Sequence, residues 1–257
     1  MIGSSFHAPI QRSADLILHA QHVVVLTGAG ISTPSGIPDF RSHDAGLWER
    51  FDPMMVASLT SFRYNPENFF AWISPLVRTI INAQPNAAHR ALADLEHHGH
   101  IQAIITQNID NLHQRAGSQH VLEVHGHMRE ASCISCFKIF PAQEFINCFL
   151  EEGLIPRCPM CGAILKPNIV LYGEQLPEKI VRAARKSVAQ ADLILVVGSS
   201  LEATPAASFP IPALNRGAHL IIINHDPTYL DERADVIIHQ DVAEILPRIA
   251  EDVLREC

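Results

Sequence analysis

Three groups of residues in this 257-residue chain have the types and spacing to do chemistry. The first is Cys133-x-x-Cys136 together with Cys158-x-x-Cys161. Two such knuckles supply four thiolates, a closed tetrahedral set for zinc with no position open to substrate, so the metal would be structural rather than redox-active or catalytic. The second is Thr106-Gln107-Asn108-Ile109-Asp110, where two amides and a carboxylate crowd into four positions. Buried without partners they would be costly, so either a polar ligand completes them or Asp110 or Asn111 caps a following helix. The third is His125, in Glu123-Val124-His125-Gly126. Imidazole takes a proton near neutral pH, and the adjacent glycine relieves crowding around it. Of the fifteen histidines, His113, His120 and His127 are expected at the surface.

These groups need a scaffold that gathers them. Val23-Val24-Val25-Leu26 opens into Thr27-Gly28-Ala29-Gly30-Ile31-Ser32-Thr33, an apolar run entering closely spaced glycines as in a cradle for a dinucleotide pyrophosphate. Gly28 suits the tight turn, Gly30 a close backbone approach, and Ala29, Ser32 and Thr33 are small. Thr33 stands where a third glycine is usual, so spacing alone equally allows a plain glycine turn. Further apolar runs, Ile101–Thr106, Leu193–Val197, Leu220–Ile223 and Val236–His239, read as strands buried on both faces. They predict an α/β fold with a doubly wound parallel sheet, Rossmann-like. Ligands bind beyond strand ends in such sheets, which directs attention to Gly198-Ser199-Ser200 and Asn224-His225-Asp226 as well. Helices are expected from Ser13 as N-cap, over Asn86–Glu96, over Val181–Ala189, and from Asp241 through Val253. Gly46 to Arg78 reads as a helical module cut into short pieces by Pro53, Pro66 and Pro75.

A net charge of -8 and 47% hydrophobic content fit a globular chain and argue against a nucleic-acid surface. No run approaches the ~20 apolar residues of a membrane span, and no signal segment opens the chain, so a soluble, cytoplasmic protein is expected. Cys148 reads as core filler, and Cys257 has no evident role. Nothing specifies an oligomeric state.

Gly28-Ala29-Gly30-Ile31-Ser32, followed by Gly36-Ile37-Pro38-Asp39-Phe40-Arg41-Ser42, resembles the hallmark loop and lid of the sirtuins, the NAD-dependent protein deacylases. Thr106-Gln107-Asn108-Ile109-Asp110 with Leu112-His113, Glu123-Val124-His125-Gly126, the cysteine knuckles, and Lys166-Pro167-Asn168-Ile169-Val170-Leu171-Tyr172-Gly173-Glu174 resemble further sirtuin segments in order. Val124 stands for the usual Leu, Tyr172 for Phe and Ser199 for Thr. The resemblance implies NAD as co-substrate, structural zinc and an acyl-lysine peptide or protein as partner. The acyl oxygen would attack the NAD ribose as nicotinamide leaves, giving an alkylimidate, and His125 would then act as general base. Asp110 would hold the carboxamide, with Asn108 and Gln107 at the nicotinamide ribose. Gly28, Ala29, Gly30, Ser32, Asp39, Phe40, Arg41, Gly198, Ser199, Ser200, Asn224, Asp226 and Val242 would line the remaining cofactor site. Ile169, Val170, Tyr172, Gly173 and Glu174 would bind peptide. It further implies an NAD-binding domain of residues 1–45, 86–130 and 166–257, with a helical module (46–85) and a zinc module (131–165) as the small lobe. Desuccinylating sirtuins carry a Tyr-x-x-Arg pair that Phe69–Leu76 lacks, so acetyl or longer apolar acyl groups are expected. Alternatives on the same scaffold are an NAD hydrolase or ADP-ribosyltransferase and a non-catalytic NAD or ADP-ribose sensor. A dehydrogenase leaves the lid and the amide cluster without a role.

Overall fold

The computed structural model describes residues 6–40 and 46–256. Its main sheet is parallel throughout and has the order β3-β2-β1-β7-β8-β9. The strands are β1 (Val23–Thr27), β2 (Ile101–Thr106), β3 (Val121–Glu123), β7 (Leu193–Val197), β8 (His219–Ile223) and β9 (Val236–Ile238). Between them come β4 (Gly126–Cys133), β5 (Ile139–Pro141) and β6 (Leu165–Ile169), which form a separate antiparallel sheet in the order β5-β4-β6. The large sheet runs outward in both directions from β1 and β7, the strand order of a doubly wound dinucleotide-binding fold, so its switch point lies where those two strands end.

Strand alternation divides the core. Val23 and Val25 face one layer with Ile104, Leu195 and Ile221, while Val24 and Leu26 face the other with Ile105, Ile194 and Ile222. The first layer is roofed by α1 (His7–His19), α6 (Ala87–His97) and α11 (Val242–Arg255), and the second by α9 (Glu178–Gln190) and α10 (Pro210–Leu214). The other helices are α2 (Leu47–Arg50), α3 (Pro53–Val56), α4 (Leu59–Tyr64), α5 (Pro66–Asn82), α7 (Leu112–Ala116) and α8 (Gln143–Glu152); α4, α5 and α8 share a third core, and α5 meets α2 and α7 in a smaller one around Ile37. Phe62, Phe69, Phe70 and Ile73 pack with Phe149 of α8, with Ile169 at the end of β6 and with Leu171 beyond it.

Several local expectations change. α1 begins at His7, and Ser13 is buried mid-helix, donating its hydroxyl to the Pro9 carbonyl instead of capping. Pro53 and Pro66 do start helices, but Pro75 lies inside α5 and does not end it. The buried stripe Phe69, Phe70, Ile73, Leu76, Val77 and Ile80 holds that helix through tertiary packing. Cys148 is exposed on α8 and fills no core. Asp241 caps α11 through its side chain as expected, and Asn86, expected as the first helical residue, caps α6. Among the described residues no helix is long and apolar enough to cross a membrane.

Candidate active site and metal cluster

The loops after β1 and β7 meet backbone to backbone. A Cβ on Gly28 or Gly30 would lie 2.8–2.9 Å from the Gly198 backbone, and one on Gly198 would lie 2.2 Å from the Ile31 nitrogen. Glycine is required at all three for this close approach, and Gly198 also has φ +57. The N–H of Gly28 goes to the Val197 carbonyl (3.2 Å) and that of Gly30 to the Gly198 carbonyl (2.8 Å). These two N–H groups are therefore spent on the fold and are not left to donate to a ligand.

Beyond β2 the amide and carboxylate cluster folds over this turn. Asn108 donates to the Gly28 carbonyl (3.0 Å) and to Ser32 Oγ (3.2 Å), and Ser32 donates to Asp110 Oδ2 (2.7 Å). Asp110 Oδ1 accepts from the Leu112 N–H (2.9 Å), so the capping use and the site use coexist in one carboxylate. Burial raises the Asp110 pKa, opposed by the Leu112 and Ser32 hydrogen bonds, and the nearby Glu123 charge adds to the rise. Gln107 Nε2 donates to Ser199 Oγ (3.0 Å), which ties β2 to β7.

His125 Nδ1 lies 3.0 Å from the Gln107 carbonyl. A carbonyl only accepts, so the proton sits on Nδ1 and Nε2 is the basic nitrogen. Gly126 beside it has φ +76, and a Cβ there would lie 2.0 Å from the Asn168 carbonyl, which gives the expected glycine its reason. The stretch after β6 crosses the same space. Val170 donates its N–H to the His125 carbonyl, Leu171 to Glu174, and Tyr172 to the Ala57 carbonyl.

All these loops open into one cleft of about 1410 Å³. Every residue expected at the cofactor and peptide sites lines it, except Arg41, which lies outside the described residues, as does Ser42. Asn224 donates to the Asp226 carbonyl, and with Asp226 and Val242 marks the far end. One arm is apolar, walled by Trp48, Trp72, Leu76, Ile80 and Ile109. The ring of Trp48 packs on Phe40 (5.1 Å) and stacks on Trp72 (5.7 Å). Neither tryptophan belongs to a motif, and the only local signal for them is the density of aromatics between Gly46 and Arg78.

Behind Ser32 lies a second surprise. His113 and His89 are fully buried with rings 4.9 Å apart, and His113 Nε2 is 2.9 Å from Thr27 Oγ1. Burial lowers the His89 pKa to about 4 and that of His113 well below its ordinary value. The surface expectation for His113 fails because the first turn of α7 packs against α6. His127 is half-buried with an unpartnered Nδ1, whereas His120 is at the surface.

The four knuckle sulfurs lie within 4.8 Å of one another, with Cys133 and Cys161 at 3.4 Å and Cys136 and Cys158 at 3.7 Å. A tetrahedron with ~2.3 Å Zn–S bonds has edges of about 3.8 Å, so the cluster fits zinc. The N–H groups of Cys136 and Ser135 point at Cys133 Sγ, contacts that suit a thiolate. None of the four lines the cleft.

A doubly wound sheet whose switch-point cleft gathers a buried carboxylate, amides and an oriented imidazole, with a four-thiolate module alongside, defines a dinucleotide-using enzyme class. The model of the Sir2 family matches residues 28–205. An NAD-dependent protein deacylase 2 of Archaeoglobus fulgidus is 45% identical over 96% of each chain. A solved Sir2 enzyme structure covers 97% of this chain and 99% of its own at 44% identity and TM-score 0.91. Sir2Af2 bound to a myristoylated histone peptide covers 97% and 98% at 39% identity and TM-score 0.83. The chain belongs to the Sir2 family.

Proposed function

We propose that the protein removes acetyl or longer apolar acyl groups from protein lysine side chains in an NAD-dependent reaction, releasing nicotinamide and O-acyl-ADP-ribose. The observation that carries this reading is the meeting, in one cleft, of the glycine-walled turn, the Ser32–Asp110–Asn108 network, His125 and an apolar arm. Bound NAD would supply the electrophilic ribose carbon and take up the acyl group. Gly28, Ala29, Gly30, Gly198 and Ser200 would wall its phosphates, and Asn224, Asp226 and Val242 its adenosine end. Ser199 acts through the hydrogen bond it accepts from Gln107. Asp110, held by Ser32 and Leu112, would anchor the leaving carboxamide, and Asn108 and Gln107 would orient the ribose. His125, with its proton fixed on Nδ1, would use Nε2 to deprotonate a ribose hydroxyl. Phe40, braced on Trp48, and Asp39 would close the reaction centre to water, with Arg41 on the same loop. The acylated lysine would enter beside Ile169, Val170, Tyr172, Gly173 and Glu174, its acyl group reaching the apolar arm. The cleft then separates an NAD-binding domain (1–45, 86–130, 166–257) from a small lobe (46–85, 131–165) held by structural zinc.

Mass spectrometry of the protein with NAD and an acetyl-lysine peptide tests this. O-acetyl-ADP-ribose with free lysine peptide is the expected product. Free ADP-ribose with intact acyl peptide would instead mark an NAD hydrolase.

A further inference from the structure

Arg129, on β4 four residues beyond His125, has no part in the reaction as described. Its Nη1 donates to Asn111 Oδ1 (2.8 Å) and to Glu123 Oε1 (2.7 Å), and its Nη2 donates to Glu123 Oε2 (2.5 Å). Glu123 is buried and ends β3 two residues before His125. Asn111 follows Asp110 directly and sits in the left-handed region at φ +64. The Arg129 carbonyl accepts from the Ala142 N–H at the entry to α8. One guanidinium therefore spans the loop carrying Asp110 and the loop carrying His125, and its backbone ties both to the metal module. Only the planar fork of arginine presents two donors to a carboxylate and leaves others for a neighbouring amide. The Arg129 side chain is 41% exposed and that of Glu123 only 10%, so solvent screens the pair from the arginine side alone. The arrangement is better suited to fixing geometry than to holding the fold.

We propose that Arg129 is a positioning residue for deacylation, setting the Asp110 loop and the His125 loop at their working separation through Asn111 and Glu123. The proposal rests on the roles given above to Asp110 and His125. Misplacement of reacting groups by ~1 Å can cost as much as 10²-fold in rate, and loosening one of several tethers should cost less.

Two variants separate geometry from folding. Arg129→Lys keeps a cation for Glu123, but its single ammonium cannot make the fork and reach Asn111. Asn111→Gly suits the left-handed backbone and removes only the amide. Both should melt close to wild type, with kcat for nicotinamide exchange and for acyl transfer each reduced about tenfold and KM for acetyl-lysine peptide little changed. The double variant should be no slower than Arg129→Lys, because the shared contact is already lost. Should Arg129→Lys fail to fold, Asn111→Gly alone decides. The proposal is overturned if either soluble variant keeps kcat within roughly twofold of wild type, whatever its melting temperature, or if the two effects multiply in the double variant. His125→Ala measured alongside keeps the two ideas apart. Normal deacylation by it overturns the role given to His125 as base, whereas its loss with wild-type rates in Arg129→Lys and Asn111→Gly overturns only the positioning role.

Discussion

Acid should destabilise this protein well before its carboxylates titrate, and the buried histidine pair is the reason. His89 has a pKa near 4 in the fold against 6.5 for the unperturbed side chain. Its folded value is depressed, so between those limits the unfolded chain binds the proton first and stability falls as pH falls. At pH 7.5 neither state is protonated and nothing is lost. At pH 5.0 the unfolded imidazole is almost wholly charged and the folded one almost wholly neutral, which costs about 2 kcal/mol from His89 alone. His113, more deeply buried, shifts in the same direction, as do the less buried His100 and His127. Asp110 acts oppositely: its raised pKa favours the folded state as the carboxyl protonates. The perturbation is therefore His89→Gln, which keeps a polar side chain beside Ser32 and cannot titrate. Urea unfolding at pH 7.5 and 5.0 should show a smaller loss in the variant than in wild type, by about 2 kcal/mol. Equal losses in the two proteins would refute the assignment, because the protonation would then lie elsewhere.

Changing His125 to Ala should slow deacylation by ~10²-fold or more while leaving NAD binding and some acyl-peptide-dependent nicotinamide exchange, and near wild-type turnover would remove His125 as the base. Asp110→Asn should impair exchange and deacylation together, read in the same two assays. Stripping the metal, or Cys133→Ala, should lower the melting temperature and loosen 131–165, although Phe149 still anchors α8 against Phe70 (5.4 Å); an unchanged melt after verified stripping would contradict structural zinc. Acetyl-lysine peptide should turn over at least ~10-fold faster than succinyl-lysine peptide, because among the described residues the arm lined by Leu76, Ile80 and Trp72 has no cation for a carboxylate; the reverse order of rates would contradict the apolar arm.

The parts of the structure that could be read from sequence share a physical property: their signal is local. β1, β2, β7 and β8 are buried on both faces and so spell near-continuous apolar runs, and the knuckle cysteines must lie close in sequence to share one ion. Strand-end loops are local too, which is why Gln107 to Asp110, His125 and the Gly28 turn stood out together. Where packing between distant segments decides, no local signal exists. Pro75 stays helical because six buried side chains hold α5 from outside it, and Ser13 lies inside a helix whose apolar stripe begins at Ile10. His113 is buried by a neighbour twenty-four positions away, His89.

The same contrast separates the chemistry from its support. Asp110 can be placed from its own segment, but what holds it comes from β1's turn through Ser32, from α7 through the Leu112 N–H, and from β4 through Arg129 and Asn111. None of those three segments signals its partner, since serine, leucine and arginine are each commonplace where they stand. The glycines behave in the same way: Gly28 and Gly30 look like ligand contacts, yet their N–H groups bond to Val197 and Gly198, about 170 residues further along. What a short motif specifies here is therefore an intersection of loops. The site exists because the strand order brings β1 between β2 and β7, placing the turn, the carboxylate and the paired glycine at one edge of the sheet. A substitution at Gly198, outside the hallmark segment, should consequently disturb the cradle as much as one at Gly28, because a Cβ at either position meets the other loop's backbone below 3.0 Å.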